Sequence, residues 1–175
     1  MAIQQEAERA ANRLLRDVWP WHGDNPKLPV DPIRIARSLG IDVYDAELGQ
    51  DVFGALVKEA GQDPTILLNA IDSPNRKRFS CAHEIGHFVR RSDTVYSNIS
   101  DYDQYTHLDR RDVLSAQGVD IEEIYANSFA AALLMPAALV EELRKTQSPT
   151  DLALTFDVSQ EAMQYRLLNL GLQSV

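Results

Sequence analysis

A five-residue pattern, His83-Glu84-Ile85-Gly86-His87, limits what this chain can fold into more than any other feature. It has to lie on a helix to mean anything. Two histidines four apart on an α-helix stand about 40° apart around the axis and about 6 Å along it, so both imidazoles can close on one metal ion. Zinc suits that pair, because it takes neutral imidazole nitrogen in a small tetrahedral shell. Glu84 is offset from the two histidines and can reach a metal-activated water without being a ligand. Two ligands and one general base are the division of labour in a zinc hydrolase. The bland alternative is two core histidines that happen to share a helix face.

The flanks favour the helix. Ser73 supplies a capping hydroxyl and Pro74 a first-turn proline. From there to Arg91 no proline follows, and Phe79, Ala82, Gly86 and Val89 recur at helical spacing. Gly86 costs about 1 kcal/mol relative to alanine in mid-helix, so another segment is expected to pack closely there. Cys81, two residues before His83, should face away from the metal as a small buried side chain. It is the chain's single cysteine, which permits no internal disulfide and fits a reducing cytoplasm.

At 175 residues the chain is long enough for one domain with a real core. A net charge of −9 argues against nucleic acid and anionic membranes as partners of the whole surface. No apolar run approaches membrane-span length, and MAIQQEAERAANRLL does not read as a secretory signal. A cytoplasmic location is therefore expected.

The order of the elements predicts an α+β fold. Residues 3–18 have the spacing of an amphipathic helix, and residues 19–29 read as loop, with His22 in it. Asp31-Pro32 starts a second helix that Gly40 stops. Three short strands follow, at 41–44, 52–58 and 65–70, predicting a small, mostly antiparallel three-stranded sheet packed with the motif helix. The last strand could offer its edge to an extended peptide, or be an ordinary edge. Residues 92–118 read as an irregular, acidic, solvated loop. Asp120 then caps a helix to Met135, Pro136 opens another to Leu143, and two more begin at Ser148-Pro149 and Ser159. The expected division is a catalytic unit over 1–147 and a helix-turn-helix-like segment over 148–175, packed into one compact body.

Two histidines leave a catalytic zinc short of a third protein ligand. Asp93 would fall at the spacing used by one zinc-protease class, but Arg90 stands where that class needs a glycine turn. A glutamate from a later helix is the better source. Glu123 is preferred over Glu122, because Asn127 lies one turn further on the same face and could hydrogen-bond a ligand. His107 is a further option. Both glutamates also suit a helix N-terminus for its dipole alone.

RFSCAHEIGHFVR followed by EIYANSFAAALLMP resembles the ImmA/IrrE metallo-endopeptidases, and FDVSQEAMQYRLLNLGL resembles that family's usual ending. The similarity runs from about residue 40 to 170 and is weakest over 92–118. The resemblance implies His83, His87 and Glu123 as zinc ligands and Glu84 as base and proton donor. It also implies a substrate, a partner helix-turn-helix repressor whose cleavage relieves repression in mobile-element, stress or toxin–antitoxin control. Longer members carry a sensor domain, for which these residues leave no room.

Cleavage by this route needs a donor for the tetrahedral oxyanion, and Tyr102, Tyr105, His107, Tyr165 and Arg166 are the candidates. The rivals are a non-catalytic regulator that binds a partner protein or DNA through the C-terminal helices, and a protease latent until a signal arrives. DNA is disfavoured, since residues 148–175 hold one cation, Arg166, against Asp151, Asp157 and Glu161. Oligomeric state has no signature in the sequence.

Overall fold

The computed structural model describes residues 2–22, 25–94, 104–110 and 121–172. Helix α1 (Ala2–Val18) lays Ala7, Ala10, Ala11, Leu14 and Leu15 on the core. The turn after it is not plain loop. Strands β1 (Trp21–His22) and β2 (Asn25–Pro26) form a two-residue antiparallel ladder. The indoles fix this turn, with Trp19 Nε1 donating to Lys27 O at 2.7 Å and Trp21 Nε1 to Leu15 O at 2.9 Å. Asp31 caps α2 (Pro32–Ser38) by accepting from the amides of Ile33 and Arg34.

The main sheet differs from the expectation in size and direction. It has four strands, β3 (Asp42–Ala46), β4 (Val52–Lys58), β5 (Thr65–Asn69) and β6 (Tyr105–Arg110), in the order β3-β5-β4-β6. β3 and β5 are parallel, and β4 is antiparallel to both β5 and β6. β5 thus lies inside the sheet and has no free edge for a peptide. Asn69 ends it by donating to Gly49 O and Val52 O, at 2.6 and 2.7 Å, which ties down the connection into β4. The added strand, β6, comes from the stretch expected to be irregular.

Helix α3 (Pro74–Thr94) crosses under this sheet, with the Ser73 hydroxyl accepting from Arg76 N. Helix α4 (Ile121–Leu134) buries Tyr125, Ala126, Phe129, Ala130 and Leu133, among others, and lies between α1 and α3. Such an all-round apolar helix belongs in a core. Among the described residues no single helix is long and apolar enough to cross a membrane. Gly86 of α3 meets α4 closely: a Cβ there would stand 3.1 Å from Ala126 Cα and 3.2 Å from Phe129 Cβ. Asp120, the expected cap of α4, lies outside the described residues.

Pro136 opens α5 (Ala137–Leu143). A Ser148–Asp151 capping box starts α6 (Pro149–Phe156), and Asp157, at φ 52°, ends it. Ser159 caps α7 (Gln160–Asn169). Arginines bind these helices to the rest. Arg78 of α3 donates to Asp157 O at 2.9 Å and Val30 O at 2.8 Å, and pairs with the Asp157 carboxylate at 3.1 Å. Arg166 donates to Met135 O at 2.9 Å and to Glu8 at 2.6 Å.

Candidate metal centre

The motif helix turns one face to α4. His83 is buried, and His83 and His87 bring their Nε2 atoms to 3.0 Å of each other. Glu123, in the first turn of α4, places Oε2 3.3 Å from His83 Nε2 and Oε1 3.2 Å from His87 Nε2. One turn on, Asn127 Oδ1 lies 3.1 Å from His83 Nδ1. An amide oxygen only accepts, so Nδ1 carries the proton and Nε2 turns its lone pair to the cluster. His83 Nε2, His87 Nε2 and the Glu123 carboxylate thus face one point. Their three atoms lie within 4.8 Å of one another. A divalent cation taking nitrogen and oxygen fits that set.

Burial disfavours charge on His83, but the hydrogen bond to Glu123 and the carboxylates of Glu84 and Asp109 outweigh it, and its pKa is raised. Burial pushes Glu123 upward, yet hydrogen bonds from His107, His83 and His87 hold it far below the usual carboxylate range.

Glu84 is fully buried beside the pair. Its Oε1 has no hydrogen-bond partner among the described residues and faces Gly54 of β4, where a Cβ would stand 3.6 Å away. Its Oε2 lies 3.1 Å from His107 Nδ1. His107 reaches across with Nε2 to Glu123 Oε1 at 3.0 Å, and its ring packs on that of His87 at a 34° tilt with centroids 3.7 Å apart. Burial opposes its protonated form, but hydrogen bonds to Glu123 and Glu84 raise its pKa to about 10.

The remaining sequence candidates scatter. Glu122 is exposed and pairs with Arg90 at 3.4 Å. Tyr105 lies under the Arg91 guanidinium, 4.1 Å from its ring centroid. Tyr165 is exposed on α7, and Arg166 is committed to Glu8 and Met135, so neither joins the cluster. Tyr102 lies outside the described residues. Asp109 escaped the sequence reading. With His83 and Glu84 it forms a second group within 4.8 Å, and burial raises its pKa. The signal was present in Tyr105, His107 and Asp109, which alternate along β6 with the more exposed Thr106 and Leu108.

Residues 36–168 match the family model of the IrrE N-terminal-like domain, a peptidase family. The chain is 33% identical over 119 residues to the radiation response metalloprotease IrrE of Deinococcus deserti, covering 63% of this chain and 39% of that protein. For the protein of the same name from Deinococcus radiodurans the figures are 34% over 90 residues, 51% of this chain and 24% of the relative. The chain therefore spans less than half the length of these relatives. A solved Mycobacterium tuberculosis transcriptional regulator superposes with a TM-score of 0.57 at 20% identity, over 93% of this chain and 46% of that one. At that identity the likeness concerns the fold.

Proposed function

This chain belongs to the IrrE N-terminal-like peptidase family, and from that premise we propose that it is a zinc-dependent endopeptidase acting in the cytoplasm on a partner helix-turn-helix repressor. One observation carries the reading: His83, His87 and Glu123 converge while Glu84 stands beside them outside the donor set. A purely structural site would need no such carboxylate. His83, His87 and Glu123 would hold the ion, with Asn127 fixing the His83 ring. When bound, zinc supplies Lewis acidity toward a carbonyl and acidifies water to a pKa of about 7. Glu84 takes a proton from the attacking water and returns it to the leaving amide nitrogen. Burial beside Gly54 keeps bulk water from one side of its carboxylate.

The repressor substrate rests on the family. The net charge of −9 adds to it, since a DNA-binding protein presents a basic surface that such a chain attracts. The buried free thiol of Cys81 agrees with a reducing compartment. The test is Glu84→Gln. It should retain one zinc per chain and lose cleavage of the repressor at least 100-fold. Cleavage surviving in that variant would refute the mechanism, and a wild-type chain that binds no zinc would refute the site.

A further inference from the structure

We propose that His107 is a positioning residue for the base: its Nδ1–H holds the Glu84 carboxylate in one orientation, with Oε1 turned into the protein and Oε2 turned to the metal cluster. The inference rests on Glu84 being the base, as proposed above. The terminal torsion of a glutamate is soft, so an untethered carboxylate exchanges its two oxygens readily. Here one oxygen faces Gly54 and makes no hydrogen bond among the described residues. The other has a ring nitrogen at 3.1 Å. Nothing else among the described residues hydrogen-bonds this carboxylate, so His107 alone sets its plane.

The ring is itself held. It packs against the His87 ring, and its backbone sits opposite Leu56 in the β4–β6 ladder. Its second nitrogen touches Glu123. One imidazole therefore spans the base and the third donor of the cluster, and fixes their separation. Two other roles fit less well. As a further metal ligand, His107 would have to stand among the donors, yet the group whose ligand atoms all lie within 4.8 Å of one another is His83, His87 and Glu123 without it. As an oxyanion donor, it would need a nitrogen turned to substrate, and both face carboxylates.

Amide side chains separate these roles. Asparagine places a donor where Nδ1 is, and glutamine places one where Nε2 is. We would compare wild type with His107→Ala, His107→Asn and His107→Gln, following zinc content, the orientation of the Glu84 carboxylate in crystal structures of the zinc-loaded proteins, and repressor cleavage. The alanine and glutamine variants should show the Glu84 carboxylate turned or divided between two orientations. Their kcat should fall about 10- to 100-fold at near-constant KM, with one zinc per chain retained. Asparagine should restore orientation and rate. An unmoved carboxylate in the alanine variant would overturn the proposal, as would rescue by glutamine instead of asparagine, or loss of zinc on removing the ring. The crystallographic reading needs no cleavage, so an inactive wild type would sink the endopeptidase reading while the positioning of Glu84 is still judged.

Discussion

Replacing Gly86 by alanine sets two effects against each other. In a helix interior alanine is favoured over glycine by about 1 kcal/mol. Against it stand contacts of 3.1 Å to Ala126 Cα and 3.2 Å to Phe129 Cβ and Cδ1. These are the backbone and side-chain root of α4, not the mobile end of a long side chain. Helix α4 is backed by α1, so it cannot simply retreat. Overpacking of this kind costs about 1–3 kcal/mol, and a rigid neighbour puts Gly86→Ala in the upper half of that range. The net loss is about 1–2 kcal/mol, which lowers Tm by about 2–8 °C in a chain of this size. Ala126 lies directly before Asn127 and three residues after Glu123, so the same displacement moves both away from the histidines. Zinc affinity should fall about tenfold. Urea melts of chelated protein and a competitive zinc titration measure the two terms separately. A variant stabilised by about 1 kcal/mol, with unaltered zinc affinity, would refute the argument that Gly86 exists to admit α4.

Other substitutions probe the remaining assignments. Glu123→Ala should abolish tight zinc binding, whereas Glu122→Ala, which removes an exposed carboxylate paired with Arg90, should leave it within about twofold by the same titration. Arg166→Ala removes a buried guanidinium from Glu8 and Met135 O and should cost about 2–3 kcal/mol in urea unfolding. Cleavage per folded molecule should be unchanged, and a selective loss of cleavage would return Arg166 to the oxyanion candidates. Burial, then the carboxylates of Asp31 and Glu84, push the Cys81 thiol far above its ordinary pKa. Ellman's reagent at pH 8 should therefore leave it unmodified until urea unfolds the chain, and full labelling of native protein would show that α3 opens at that point.

Much of the centre was legible because it is written in helices. The four-residue step from His83 to His87, and that from Glu123 to Asn127, are local facts with fixed geometry. The same holds for the caps at Asp31, Ser148 and Ser159. What the sequence hid lies in the sheet. Consecutive short strands suggest an up-and-down order, but β5 inserts between β3 and β4, and a strand's periodicity says nothing about its neighbour. β6 was lost for a different reason. Two of its inward residues, His107 and Asp109, are polar because they face the histidine–carboxylate cluster, and the third, Tyr105, lies under Arg91, while Leu108 on the other side is exposed. The usual rule of apolar inside and polar outside is reversed there, so the segment blends into its acidic surroundings. The resulting gap fell on His107, placed in the sequence reading among several loose options.

The chain has four histidines, and His83, His87 and His107 meet in one cluster while His22 sits on β1. The imidazole region of this protein's NMR spectrum is thus largely a spectrum of one place. Three ring signals should respond together to added metal, chelator or substrate, with the fourth as an internal standard. The sequence comes already labelled for watching its own centre fill.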